Sequence, residues 1–331
     1  PISNGWSVVE MVMGEMVCLA RRIFGAVEAT AESKWTKDKR HRYELRGKQL
    51  SIIGLGNIGK QIARMADKFG MEINFYDSHE VAREVGSTLG WNACDSIEEA
   101  FRKGDVVTVH VSAEDHRGKS NVDLLNYEDH FSNLAADIDR PSPKLFINAS
   151  RGFLFEPEEL TRAVEREEVR YACVDVYPEE SDDKQESWTN PYEDYPSIWG
   201  TPHIGAATQE AQPRIASRIA NTTLLFNTYA TVRDNVFGRG HQISVDSDES
   251  GHALAVIHSD SRGTKKAVSD AIYEAGASNL GSSHRDFPRY GFAYDLNALD
   301  RTLSDEQLIE LVENARSLTG DDEAIRSVRM I

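Results

Sequence analysis

The chain has little of what would place it in several large protein classes. Of its 331 residues only three are cysteine, Cys18, Cys94 and Cys173, and they are widely separated. They form no disulfide framework and no metal-ligand spacing, a pattern that points to a reducing cytoplasm and to no metal site. Basic residues are outnumbered: 37 Lys and Arg face 54 Asp and Glu, a formal charge of −17. That balance excludes the basic footprint of a nucleic-acid binder and fits simple solubility. Long apolar runs are missing too. The most apolar opening stretch, "SVVEMVMGEMVCLARRIF", is interrupted by Glu10 and Glu15. It is too polar to span a bilayer and lacks the basic start and cleavage site of a signal peptide, so no membrane is expected. Ser7 with Glu10 three residues later reads as a capping box, which predicts a packed helix beginning there. There is no internal repeat. The first residue is Pro1 rather than Met, as expected of a fragment or of a trimmed sequence.

What is present is alternation. "QLSIIG" is a short apolar run, "NIGKQIARMADKFG" has helical spacing, and "MEINFYD" is strand-like again. "DVVTVHVS", "KLFINAS" and "YACVDVY" follow, with "EPEELTRAVERE" among the helical segments between them. Strands alternating with helices predict an α/β fold, a Rossmann-like doubly wound parallel sheet covered on both faces. A long helical pattern runs from Gly205 to about Tyr229, closing a first domain of residues 1–230. Residues 231–250, rich in Gly, Asp and Ser, read as a linker. Beyond them "HALAVIHSD", "GTKKAVSDAIYEAG", "ASNLGSSHRD", "YGFAYDLNA", "SDEQLIELVENARSLTG" and "AIRSVRMI" give β-α-β-β-α-β over residues 251–331, a ferredoxin-like unit.

"IIGLGNIG" supplies G-x-G-x-x-G through Gly54, Gly56 and Gly59. It follows an apolar run and opens a helix whose first residues are Asn57 and Ile58. The next strand ends in Asp77, eighteen residues past the last glycine. In that context the motif is a dinucleotide fingerprint: glycines for the turn, the pyrophosphate approach and helix packing, and an acid for the ribose hydroxyls. Asp77 repels a 2′-phosphate, and no arginine follows it, so the expected cofactor is NAD rather than NADP.

Three further contexts fall at strand ends, where doubly wound sheets place ligands. "INASRG" puts Arg151 beyond a strand, "DVYPEE" presents Asp175, Glu179 and Glu180, and "TPHIG" presents His203 behind a proline. Together they match hydride transfer at a 2-hydroxy acid. Arginine's planar fork holds the carboxylate, histidine takes the hydroxyl proton, and a glutamate orients the imidazole.

These motifs, with "SNGWSVVEMVMGEM", "LRGKQLSIIGLGNIG" and "TPHIGAATQEAQ", resemble the D-isomer-specific 2-hydroxyacid dehydrogenases over nearly the whole chain. The resemblance implies Arg151, Glu180 and His203 as the catalytic set. It places Asp175 on the nicotinamide carboxamide and His110 and Val111 beside the adenine, and it adds Ala149, Ser150, Arg151, His203 and Gly205 to the cofactor lining. The C-terminal unit resembles an ACT domain, the small amino-acid-binding regulatory fold. "HSDSRG" then puts His258 and Asp260 on an L-serine effector loop, with Asn279 facing it across an interface between domains. An ACT-type tail on this core implies oxidation of D-3-phosphoglycerate to 3-phosphohydroxypyruvate, the first step of phosphorylated serine synthesis, by a homo-oligomer. The alternatives are another 2-hydroxy or 2-oxo acid such as 2-oxoglutarate, or a non-catalytic sensing protein on the same fold. In the family, a half-domain of roughly a hundred residues, the size of a small domain, precedes the helix at Ser7 and carries basic groups for the substrate phosphate. The resemblance implies that this chain starts after it.

Overall fold

The structure, a computed structural model, describes residues 5–181, 188–233, 242–245, 251–259 and 261–331. It divides into two units, Pro1–Ile215 and Ala216–Ile331.

In the first unit, α1 (Gly5–Arg21) and α2 (Ile23–Ala31) are separated by Arg22, whose φ of 54° and ψ of 46° break the right-handed path. Then come β1 (Gln49–Ile53), α3 (Asn57–Lys68), β2 (Glu72–Tyr76), α4 (Glu80–Thr88), β3 (Asn92–Ala93), α5 (Ile97–Lys103) and β4 (Val106–Val109). They are followed by β5 (Leu145–Asn148), α6 (Pro157–Glu165), β6 (Tyr171–Val174) and β7 (Ile198–Gly200). The strands form one sheet in the order β3-β2-β1-β4-β5-β6-β7. Every neighbouring pair is parallel. β4 and β5 are buried at all four positions, "VVTV" and "LFIN", as strands covered on both faces must be. One face packs Leu50 and Ile52 of β1 under Val9, Val12, Met16 and Leu19 of α1 and Ile62 and Ala66 of α3. The other packs Ile53, Val107, Val109 and Phe146 of the strands against Phe101, Phe131 and Phe155. The chain winds outward from β1 to β3 and then restarts at β4 on the other side, so β1 and β4 form the topological switch point.

The sequence reading passed over β3 and β7. They are two and three residues long and lie at the two edges, where short strands limit edge-to-edge pairing. The expected cap at Ser7 is also corrected. Helix α1 is already under way at Gly5, and buried Ser7 turns its hydroxyl to Thr208, Oγ to Oγ1 at 3.2 Å. A tertiary partner satisfies the hydroxyl that local spacing had given to the helix end. The next helix in the chain, α7 (Ala211–Tyr229), starts later than its pattern suggests. Thr208 Oγ1 accepts the Ala211 N–H at 3.1 Å and so sets its first turn.

In the second unit, β8 (His252–His258), α8 (Thr264–Glu274), β9 (Asn279–Phe287), β10 (Phe292–Leu299), α9 (Asp305–Thr319) and β11 (Ile325–Met330) form β-α-β-β-α-β. The sheet order is β11-β8-β10-β9 with antiparallel pairs, the ferredoxin-like arrangement. Side chains on one sheet face, Leu254, Val256 and Leu299, pack with Val268, Ile272, Leu311 and Ala315 of the two helices. A full capping box, Ser304 with Gln307, starts α9. Of residues 231–250, only 231–233 and 242–245 are described, and there Val232 and Ile243 form an antiparallel bridge.

Candidate active site

The glycine turn sits between the ends of β1 and β4. Gly54 has φ +92°, and a Cβ on it would lie 2.6 Å from the His110 carbonyl oxygen. A Cβ on Gly59 would lie 2.2 Å from the Gly54 carbonyl oxygen, so α3 can seat on the strand only with glycine there. At Gly56, the N-cap of α3, a Cβ would meet nothing within 4 Å. That face is open, and the unpaired N–H groups of the first helical turn lie behind it, a cradle that fits a pyrophosphate. Asn57 is exposed at the start of α3, and Ile58 packs onto the core.

Asp77 follows the end of β2. Its Oδ2 accepts the Leu55 N–H at 2.7 Å and its Oδ1 accepts the His79 N–H at 2.8 Å. The carboxylate thus braces the glycine turn, and each oxygen keeps a lone pair for a ribose hydroxyl. A cleft of about 390 Å³ opens here, lined by Gly54, Gly56, Asp77, His110 and Val111 among others. The His110 ring is neutral: burial pushes its pKa down to about 3. Its Nε2 pairs with Thr108 Oγ1 at 2.8 Å, and its Nδ1 is buried without a partner. The loop after β4 also brings His116 and Lys119 to this cleft, with His116 Nδ1 3.3 Å from Ser78 Oγ. Sequence reasoning missed both, because they lie some forty residues from Asp77 and share its cleft only through the fold.

The catalytic candidates come from three adjacent strands. Arg151 follows β5, Glu180 follows β6 and His203 follows β7. Glu180 Oε2 lies 2.6 Å from His203 Nδ1, and Glu180 Oε1 accepts the Tyr177 N–H at 3.0 Å. One carboxylate oxygen is therefore fixed by the backbone while the other faces the imidazole. His203 has φ +53°, a left-handed conformation unusual for a non-glycine residue, and its N–H donates to Thr201 O at 2.9 Å around Pro202. Both side chains stay open to solvent, at 53% and 36% relative exposure, so the pair stands at the mouth of the sheet edge. Arg151 is exposed, and its Nη1 donates to Ser150 O at 2.6 Å.

Two buried polar residues hold these loops, and sequence reasoning gave neither that task. Asn148, the last residue of β5, accepts from Ser150 N and Oγ at 3.1 and 3.0 Å and donates to Arg151 O at 2.9 Å. Asp175 lies just beyond β6, not within the strand as its run suggests. Its Oδ1 accepts from Thr201 Oγ1 at 2.6 Å and Ile204 N at 2.8 Å, and its Oδ2 accepts from Gly205 N at 2.8 Å. The carboxylate expected on the cofactor thus fastens the whole turn that carries His203. Gly152 fixes the remaining contact: a Cβ there would lie 1.8 Å from Tyr177 O, so the Arg151 loop rests directly on the backbone leading to Glu180. Ala149 and buried Ser150 lie in that loop. Behind Asp175, Glu15 of α1 is buried with Oε2 unpartnered. Burial first, and the Asp175 charge second, push its pKa up to about 8.

The expected effector residues stand apart within one chain. His258 ends β8 and pairs across the sheet with Ala293, at one end of β10, whereas Asn279 pairs with Leu299 at the other. Both ring nitrogens of His258 are engaged inside the unit, and Asn279 Nδ2 donates to Asn297 Oδ1 at 3.0 Å. Asp260 lies outside the described residues.

A parallel sheet in this order, with a glycine cradle at its switch point, defines the dinucleotide-binding α/β class. The family model described as "D-isomer specific 2-hydroxyacid dehydrogenase, NAD binding domain" matches residues 13–205. The chain therefore belongs to the D-isomer-specific 2-hydroxyacid dehydrogenases, and its cofactor is NAD. It is 28% identical over 292 residues to the D-3-phosphoglycerate dehydrogenase of Haemophilus influenzae, covering 88% of this chain and 67% of that one. It is 31% identical over 287 residues to D-3-phosphoglycerate dehydrogenase 2 of Saccharomyces cerevisiae, covering 82% and 57%. The chain thus spans between 57% and 67% of the length of these two relatives. Among solved structures, the NAD-dependent formate dehydrogenase of Staphylococcus aureus in complex with NAD matches with a TM-score of 0.57 at 21% identity, over 70% of this chain and 65% of that one. D-Lactate dehydrogenase with NAD+ from Lactobacillus jensenii matches with a TM-score of 0.55 at 18% identity, over 68% and 67%. Both support the fold alone. Among the described residues, no helix is long and apolar enough to cross a membrane.

Proposed function

We propose that the chain catalyses NAD-dependent oxidation of a D-2-hydroxy acid, and that this acid is D-3-phosphoglycerate, giving 3-phosphohydroxypyruvate for serine synthesis. The observation that carries the reading is the Glu180–His203 pair, 2.6 Å apart, presented after β6 and β7, the two strands that follow in the sheet the one presenting Arg151. The Nδ1–H donates to Glu180, which leaves Nε2 with the lone pair that removes the hydroxyl proton. Glu180 offsets the charge the imidazole then carries, and Arg151 holds the substrate carboxylate at a fixed angle. The chemistry NAD supplies when bound is acceptance of the hydride. The phosphorylated substrate rests on similarity to the two relatives named above.

We further assign the C-terminal unit to the ACT type on its topology, as an amino-acid-responsive module. An L-serine effector there would be held by groups other than the His258 ring, whose nitrogens are both engaged. The exposed apolar side chains of α2, Ile23, Phe24 and Val27, suit a homo-oligomer, and three free cysteines suit the cytoplasm. An absorbance assay for NADH, run on the product of the full coding sequence, tests the reading. 3-Phosphoglycerate should exceed 2-hydroxyglutarate and lactate in kcat/KM by at least tenfold. Equal or reversed preference overturns the substrate, and no NADH from any 2-hydroxy acid overturns the activity.

A further inference from the structure

The second unit contains a side-chain cluster that the dehydrogenase reading does not use. His258 from β8, Asp295 from β10 and His284 from β9 meet on one sheet face. Asp295 stands directly opposite His284 and diagonally from His258, which pairs with Ala293. The carboxylate lies between the rings: Oδ2 is 3.0 Å from His258 Nε2 and Oδ1 is 2.6 Å from His284 Nδ1. The two rings are 5.8 Å apart and nearly parallel, with 20° between their planes.

The outer nitrogens are also occupied. His258 Nδ1 lies 2.7 Å from the Ser259 carbonyl oxygen, and His284 Nε2 lies 2.6 Å from Asp286 Oδ1. All four ring nitrogens therefore face oxygen acceptors. A neutral imidazole has one N–H, so it can satisfy only one of its two acceptors. Either both rings carry a second proton, or a cation occupies the space between them and the carboxylate. Four acceptors around two rings call for positive charge at the centre of the cluster.

We propose that His258 Nε2, His284 Nδ1 and an Asp295 carboxylate oxygen bind a divalent transition-metal ion of the zinc type. The three ligand atoms lie within 4.8 Å of one another. A tetrahedral ion with bonds of about 2.0–2.1 Å needs separations of about 3.4 Å, within reach of small rotations. Two imidazoles and one carboxylate suit zinc or its neighbours rather than calcium or magnesium, and they leave a fourth position for water. The outer partners match what metal-bound histidines require: Ser259 O and Asp286 each accept the N–H of the ring nitrogen away from the ion, fixing its tautomer. His258 and Asp295 are buried while His284 is half-buried, which leaves a path for entry. On binding, the ion replaces the two ring protons shared with Asp295 and releases them to solvent. The ligands come from three strands joined only by sheet register, so no local spacing announced them.

The test uses the full chain, stripped with a chelator at pH 7.5 and titrated with Co²⁺. One equivalent should be taken up with the intense visible bands of a four-coordinate site and displaced by Zn²⁺. His284→Gln and Asp295→Asn should each weaken binding at least tenfold. Asp286→Asn, which removes only an outer partner, should weaken it by about 10–100-fold. His41→Gln, at an exposed turn outside the cluster, should leave uptake unchanged. Binding should weaken toward pH 6 as protons compete. Circular dichroism checks each variant's fold; if Asp295→Asn does not fold, the half-buried His284→Gln carries the test. No tight uptake by the folded wild-type chain overturns the site. So does uptake that persists undiminished in folded His284→Gln.

Discussion

The two units place their polar networks in different ways. In the seven-stranded unit the two residues that arrange the loops bearing Arg151 and His203 stand at the strand ends: Asn148 closes β5 and Asp175 follows β6. In the four-stranded unit they stand within the strands: His284 and Asp295 face each other inside the β9–β10 ladder. The difference follows from sheet type. A parallel sheet buried on both faces has no room for charge among its strands, so its chemistry moves to the carboxyl edge. A small antiparallel sheet has only one short layer of helices, and its strands can hold polar side chains that satisfy one another. Chemistry at strand ends can be lost without harming the fold, whereas polar groups inside a sheet belong to the fold.

The largest expected effect tests the first half of that contrast. In the full coding product, His203→Ala should lower kcat/KM by about 10²–10⁴-fold, the usual contribution of a positioned acid/base. NAD affinity by calorimetry and the melting temperature should stay near wild type. A variant that unfolds instead would show that strand-end chemistry is also structural.

Next in size is the pH response of the first unit. Glu15 keeps its proton in the folded chain up to about pH 8, from an ordinary value of 4.5. Below that ordinary value both states hold the proton. Between the two values only the folded state does, so stability declines as pH rises through this window and levels off above it. The total decline is on the order of a few kcal/mol, at about 1.4 kcal/mol per pH unit of difference. Glu15→Gln removes the titration and should flatten the stability profile between pH 5 and pH 8, measured by denaturant unfolding. An unchanged slope would place the charge elsewhere. The smallest effect lies in the second unit. Tyr294→Phe removes a buried hydroxyl that donates to Ala230 O at 2.7 Å and should cost about 1 kcal/mol. Hydrogen exchange should show that loss in β8–β10 and leave β1–β6 unaffected.

The same contrast decides what the sequence made legible. The fingerprint, Arg151, Glu180 and His203 each sit in a contiguous motif at the end of an apolar run, because loops that present chemistry at a sheet edge are local objects. The β-α-β-β-α-β order was legible for the same reason: its elements are long and periodic. Asp175 was visible as a residue, but its hold on the His203 turn was not, since its three donors come from a turn nearly thirty positions away. The cap at Ser7 misled because Ser-x-x-Glu spacing cannot report that the hydroxyl meets Thr208. The His258–His284–Asp295 cluster was hidden because it depends on which residues stand opposite across two strand pairs, and composition does not encode register.

The Gly152 contact makes the Arg151 and Glu180 loops one mechanical body. With no space even for a methyl group between Gly152 and Tyr177 O, a shift in one loop must carry the other. Attempts to retune the carboxylate anchor proposed at Arg151 by inserting residues around it would therefore also displace the partner of His203. Altered substrate choice and altered proton transfer should arrive together, so a wider specificity is better sought in loops that do not touch this contact.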